Sequence, residues 1–167
     1  MTLIIITGTP CTGKTTLATA LAQELCYEYV DVSQVIKESK LSEGYDEERQ
    51  CDIVDADKLV MILKDMLTTE KNYILDSHLS HYLPNKVVDL CIVTKCDLKI
   101  LKQRMEERGY SKFKIRENID AEIFDVCLVE AMEEQEHEIL VVDTTNGIDI
   151  KKTAEDTMEI LEKKAKK

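Results

Sequence analysis

Leu3-Ile4-Ile5-Ile6-Thr7 opens the chain as an unbroken apolar run of strand length that stops at Gly8. Apolar residues at every position, rather than at alternate ones, predict a strand covered on both faces, as in a parallel sheet. From Lys14 to Leu25 the pattern changes, and Leu17, Ala18, Leu21, Ala22 and Leu25 recur at helical spacing. Tyr29-Val30-Asp31-Val32 predicts a second strand, with Ser33 as N-cap of a helix through Glu38. Leu41 to Asp52 is polar and acidic around Gly44 and predicts an exposed loop. A helix follows from about Ala56 to Leu67, with Leu59, Val60, Leu63 and Leu67 on one face. Tyr73-Ile74-Leu75-Asp76 and Leu90-Cys91-Ile92-Val93-Thr94 predict strands three and four. Asp97 opens a helix to about Arg108, Gly109 breaks it, and one long helix then carries Ile115, Ile119, Ile123 and Val126. Ile139 to Val142 predicts the fifth strand, and Asp149 begins the last helix.

Strands alternating with helices predict an α/β fold of three layers, a five-stranded parallel sheet with helices on both faces. Five glycines and two prolines leave no flexible linker, so residues 1–167 are expected to form a single domain. Such sheets place ligands beyond the carboxyl ends of their strands. Gly8, Asp31 to Ser33 and Asp76 to His78 all follow strands there, and so converge on one crevice.

At the first of these points stands Gly8-Thr9-Pro10-Cys11-Thr12-Gly13-Lys14-Thr15, a full match to G-x-x-x-x-G-K-[ST]. A strand precedes it and a helix begins inside it, the context a P-loop requires. Backbone N–H groups and the positive helix end then point at phosphate oxygens. Lys14 is expected to reach the β- and γ-phosphates of ATP, and the Thr15 hydroxyl to ligate Mg²⁺. Asp76, ending an apolar strand, fits an acid holding Mg²⁺ or its water; a strand-end Asp capping a turn is the plainer alternative. His78, two residues on, faces the same way if the strand alternation continues. A water-positioning His and a structural His both fit it. His78 with His81 lacks the further ligands that a metal site needs.

Phosphoryl transfer depends on positive charge around the migrating group, and the chain has four arginines, Arg49, Arg104, Arg108 and Arg116. Arg104 and Arg108 share a helix face. Arg108-Gly109-Tyr110-Ser111-Lys112 suggests a short flap with Gly109 as hinge, which makes Arg108 the first candidate for nucleotide contact and Arg104 and Arg116 the next. Solvated partners for Glu106 and Glu107 are the alternative.

A net charge of −11 argues against unaided binding of nucleic acid, whose phosphates call for a basic surface. It favours a basic protein partner instead. The six cysteines form no C-x-x-C pair, and Cys91 and Cys127 lie in apolar stretches that suit buried thiols. Leu3 to Ile6 is too short for a signal or membrane segment, and the expectation is an intracellular protein with reduced thiols. His137 falls in an acidic helix end and is expected at the surface. The lysines at 163, 164, 166 and 167 read as a solvated helix terminus, with a targeting signal as the lesser alternative.

Several stretches together resemble the adenylate kinase isoenzyme 6 family. They are T-G-T-P-C-T-G-K-T-T at Thr7 to Thr16, E-G-Y-D-E-E at Glu43 to Glu48, I-V-D-A-D-K-L at Ile53 to Leu59, D-S-H at Asp76 to His78, R-G-Y-S at Arg108 to Ser111, and E-N-I-D-A-E-I-F at Glu117 to Phe124. The resemblance implies an adenylate (nucleoside monophosphate) kinase that converts ATP and AMP to two ADP, with ATPase activity and a role in small ribosomal subunit maturation. It also implies a basic small-subunit ribosomal protein as partner, a nuclear and cytoplasmic location, and a monomer. A monophosphate-binding segment would span about residues 31–54 and a lid about 107–117. ATP would contact Cys11, Gly13, Lys14, Thr15, Thr16 and Arg108, with Asp76 and His78 in the Walker B position. Two residues depart from the family pattern. Cys11 stands where Gly is usual, from which a right-handed loop backbone and a thiol open to alkylation are expected. Lys37 stands where Arg is frequent, replacing a bidentate phosphate fork by a point charge.

Overall fold

Leu3–Thr7 forms β1, and all five of its residues are buried because apolar layers cover both sides of it. The computed structural model describes every residue except 48–50, 69, 79, 137 and 167, and only the backbone at 46, 51, 52 and 56. Arg49, His137, Glu48 of the acidic motif and Lys167 therefore lie outside the described residues.

The remaining elements follow in chain order. They are α1 (Lys14–Leu25), β2 (Glu28–Asp31), α2 (Val32–Glu38), β3 (Ser42–Asp46), β4 (Cys51–Val54), α3 (Ala56–Met66) and β5 (Tyr73–Asp76). A 3-10 turn at Ser80–Tyr82 leads to β6 (Leu90–Lys95), α4 (Leu98–Glu107), α5 (Lys112–Ile123), α6 (Val126–Glu134), β7 (Ile139–Asp143) and α7 (Ile150–Ala165). Five strands make one sheet in the order β2-β5-β1-β6-β7, with every pairing parallel.

Alternation along β1 decides which layer each side chain joins. Leu3 and Ile5 pack with Leu75 and Val93 against Val35 of α2, Leu59 and Leu63 of α3 and Ala131 of α6. Ile4 and Ile6 pack on the other face with Ile74 and Ile92 against Leu17 and Leu21 of α1 and Ala154 of α7. A third cluster of Leu101, Met105 and Ile115 fastens α4 to α5 and reaches Cys11 and Cys96.

Three expectations need correction. Residues 41–52 are not simply a loop, for β3 and β4 pair antiparallel as a separate two-stranded ribbon. The apolar residues there are too few to signal a strand, and the backbone pairing supplies the order. The cap of α2 is Asp31, whose Oδ1 accepts from the amides of Ser33 and Gln34 at 2.8 and 3.2 Å, so Ser33 is already inside the helix. The long helix after Gly109 is two helices, broken where Asp125 takes a left-handed φ of 55°. Apolar spacing runs on through that break, and no Gly or Pro marks it.

Candidate active site

The loop after β1 passes so close to β6 that its first residue has room for no side chain. A Cβ at Gly8 would lie 2.5 Å from Thr94 Oγ1 and 2.7 Å from the Thr94 carbonyl, and φ there is +140°. Thr12 anchors the middle of the loop: its hydroxyl donates to the Thr9 carbonyl at 2.7 Å and lies 2.6 Å from Thr94 Oγ1. Its own carbonyl accepts from Thr144 Oγ1 at 2.5 Å. Gly13, at φ 95°, has no side chain with which to cap α1, so the first amides of the helix face the loop. Lys14 Nζ bridges the rim, donating to the carbonyls of Gly8 at 2.9 Å and Thr9 at 3.0 Å. Enclosure by the loop holds its ammonium pKa below the ordinary lysine value, and nearby Asp76 offsets part of that effect.

Cys11 overturns one expectation. Its φ is +70°, a left-handed conformation in a residue that carries a Cβ, and only about 6% of its surface is exposed. The loop needs the turn there whatever the side chain, and a non-glycine residue bears about 1 kcal/mol of strain in it.

Asp76 ends β5 beside the loop. Thr15 Oγ1 donates to its Oδ2 at 2.5 Å, and the Tyr29 hydroxyl donates to the same oxygen at 3.3 Å. Burial pushes the carboxyl pKa up, while Thr15, Lys14 and Tyr29 pull it back. His78 sits at the mouth of the cleft with one side open to solvent. The protein packed around the rest of its ring, and then the charge of Lys14, press its pKa down to about 4, so the imidazole is neutral at pH 7. His81 turns inward instead. Its Nδ1 lies 2.9 Å from Thr7 Oγ1 and its Nε2 lies 3.3 Å from Glu130 Oε2. No group of three or more His, Cys, Asp and Glu suited to a metal ion occurs among the described residues.

The three described arginines have different positions. Arg108, ending α4, reaches back to the loop, with Nη1 donating to Cys11 Sγ at 3.6 Å. Arg104 is held by Thr144, donating to its Oγ1 at 3.2 Å and its carbonyl at 2.8 Å. Arg116 points to solvent with 86% of its side chain exposed, 3.9 Å from Asp120, and borders neither of the clefts described next. Arg108 and Cys11 stand between two clefts of about 500 Å³. One holds Lys14, Thr15, Asp76, His78 and Asp31. The other is lined by Gly13, Thr16, Arg104, Thr144 and Ile148.

Comparison with known proteins gives this architecture relatives. The family model of the AAA domain matches residues 4–125. The adenylate kinase isoenzyme 6 homolog of Dictyostelium discoideum is 41% identical over 138 residues, covering 83% of this chain and 78% of that protein. The chain belongs to the adenylate kinase isoenzyme 6 family. Its homolog in Caenorhabditis elegans is 36% identical over 138 residues, 82% of this chain and 76% of that protein. Shikimate kinase from Bacteroides thetaiotaomicron shares the fold at 16% identity and a TM-score of 0.60, over 96% of this chain and 98% of that one.

In this member of the adenylate kinase isoenzyme 6 family, the sequence reading missed Tyr29, Thr94, Glu122 and Thr144. Thr144 had a usable signal, since it follows a predicted strand at the carboxyl edge of the sheet. Glu122 had only its place in the E-N-I-D-A-E-I-F stretch, because by charge alone an acid in a charged helix looks like any solvated one. No helix of the described residues is long and apolar enough to cross a membrane.

Proposed function

We propose that the chain transfers the γ-phosphate of Mg·ATP to AMP or a related nucleoside monophosphate. One observation carries this reading: Lys14, Thr15 and Asp76 share a cleft with Asp31, while a second cleft opens on the far side of Arg108 and Cys11. That arrangement suits a triphosphate lying along the loop, its nucleoside between Arg104 and Ile148, and an acceptor phosphate entering from the α2 side.

Transfer then needs an acceptor oxygen in line with the γ-phosphorus. A P–O bond forms to the acceptor, the bond to the β–γ bridging oxygen breaks, and that oxygen leaves with the electron pair on ADP. Lys14, Arg108 and the loop amides offset the charge on the migrating group and on the leaving oxygen. Lys14 is confined by the Gly8 and Thr9 carbonyls, so little reorganisation is required of it. The hydroxyl and carboxylate of Thr15 and Asp76 fit a small hard cation that keeps several waters, which is Mg²⁺ rather than a caged metal. Thr15 and Asp76 would hold the ion there, and it would supply positive charge to the phosphates and offset the buried carboxylate. Gly13 and Thr16 flank the phosphates, residues 107–117 act as lid, and residues 31–54 hold the monophosphate. Neutral His78 can accept a hydrogen bond from a water and aim its oxygen at the γ-phosphorus, so that the new P–O bond forms to water as the bond to the bridging oxygen of ADP breaks, which would give the chain an ATPase activity.

A second reading has a separate support in the net charge of −11 and the exposed acids of the β3 ribbon, such as Glu43. In it, ATP turnover drives binding and release of a basic small-subunit ribosomal protein, and kinase activity is secondary. The measurement that separates the two is ADP formed from ATP plus AMP against phosphate released from ATP alone. The kinase reading expects the first rate to exceed the second by about a hundredfold or more, and equal rates with and without any monophosphate would reject it.

A further inference from the structure

Glu122 is an acid in an unexpected place. It lies in the last turn of α5, its side chain is 3% exposed, and its carboxylate points at the phosphate loop. Three donors converge on it. Thr9 Oγ1 donates to Oε2 at 2.5 Å, the Cys96 amide donates to Oε1 at 3.1 Å, and Lys95 Nζ stands 3.1 Å from the same Oε1. Lys95, the last residue of β6, also donates to the Glu122 carbonyl at 3.2 Å and pairs with Asp125 just beyond the helix.

The residue that Glu122 holds is a hub. The Thr9 carbonyl accepts from Lys14 Nζ at 3.0 Å and from Thr12 Oγ1 at 2.7 Å. Fixing the Thr9 side chain therefore fixes the strut against which Lys14 rests. A negative charge one residue from an anion cradle also opposes phosphate binding, and in a water-poor site that opposition is stronger than in bulk solvent. Lys95 supplies the countercharge. Breaking a buried pair by removing one partner leaves the other uncompensated.

We propose that Glu122, charge-balanced by Lys95, is a positioning residue that holds the phosphate loop through Thr9 and sets the potential felt by bound phosphate. The inference rests on the reading of Gly8 to Thr15 as a phosphate cradle. The pair then tunes how tightly ATP and ADP are held, according to their charge. It also couples the lid helix to Lys14, because the same helix that follows the Arg108 flap ends on this carboxylate.

The test is the sign of two charge changes on nucleotide affinity, measured by calorimetry with ATP, ADP and adenosine on the full chain. Gln at 122 fits the same contacts: its Oε1 accepts from Cys96 and Lys95, while its amide donates to a rotated Thr9 hydroxyl. Glu122→Gln removes the negative charge with the geometry kept, and is expected to tighten ATP binding by about threefold. Lys95→Met is expected to weaken it by about tenfold, and the double variant to return within about twofold of the wild type. ADP should follow with smaller shifts, and adenosine should not respond. A pin with only a structural role would weaken ATP binding in both single variants, and that result, or no change in either, overturns the proposal. If Lys95→Met does not fold, Glu122→Gln decides alone, tighter binding supporting the proposal and weaker or equal binding overturning it. Wild-type protein without ATP affinity would overturn the cradle reading itself, an outcome visible before any variant is made.

Discussion

The phosphate-loop motif and the β3–β4 ribbon are built differently. On the loop side, Thr12, Thr94 and Thr144 are buried and joined by contacts of 2.6 and 2.5 Å, and Glu122 fastens Thr9 from α5. On the side of residues 31–54, the β3–β4 ribbon stands apart from the main sheet and exposes Tyr45 and Ile53. An ion pair that ties this ribbon to α3, Lys58 with Glu43 at 2.5 Å, is itself exposed. Under the kinase reading proposed above, the difference is a division of labour. A phosphate cradle must hold its dipoles still, since reorganising them would forfeit the electrostatic gain, whereas an arm that admits and releases an acceptor gains from weak attachment.

Substitutions in each region should therefore differ in kind as well as in size. The largest effect is expected for Lys14→Ala, with turnover of ATP plus AMP lowered by about a thousandfold or more. Normal turnover in a coupled ADP assay would remove the cradle from the comparison altogether. Asp76→Asn should lower Mg²⁺-dependent kcat by about a hundredfold while ATP affinity changes by less than about threefold. An equal loss in both would make Asp76 a structural acid. Thr144→Val removes the hydroxyl that supports the Thr12 carbonyl, and should lower unfolding free energy by about 1–2 kcal/mol in urea titration. Cys11→Gly relieves the left-handed strain and should raise stability by about 1 kcal/mol. A loss instead would mean that the packing of Cys11 in the Leu101 cluster and its contact with Arg108 together outweigh the strain. Lys58→Ala, on the ribbon side, should leave the midpoint of urea unfolding unchanged, because the pair is screened by solvent. A lowered midpoint would show the arm to be as firmly held as the cradle.

Much of the fold was legible before any coordinates, and the reason is the length of the apolar signals. Residues 3–7 and 90–94 are apolar almost throughout, which suits strands covered on both faces, and both became central strands. The bounds of α1 came out as read, since its apolar spacing starts just past Gly13 and stops at Leu25. The ribbon was missed because strands that face water on most sides carry little apolar pattern. The break at Phe124–Asp125 was missed because an Asp that adopts a left-handed φ looks like one that does not. At the site, Lys14, Thr15, Asp76, His78 and Arg108 do gather around one cleft, while Arg116 faces away from it.

What the sequence determined by itself was local and periodic: strand, turn, glycine and lysine in fixed order, and hence a loop able to wrap phosphate at the carboxyl edge of a parallel sheet. Tertiary structure alone decided the partners. Glu122 lies 113 positions from Thr9 in the chain and Thr144 lies 132 from Thr12, yet both pairs touch. A hydroxyl or carboxylate carries no mark of what it will meet, because its partner is set by how layers pack rather than by its neighbours in the chain. The same holds for the φ of Cys11, which the close passage of the loop past β6 imposes against the preference of the residue itself.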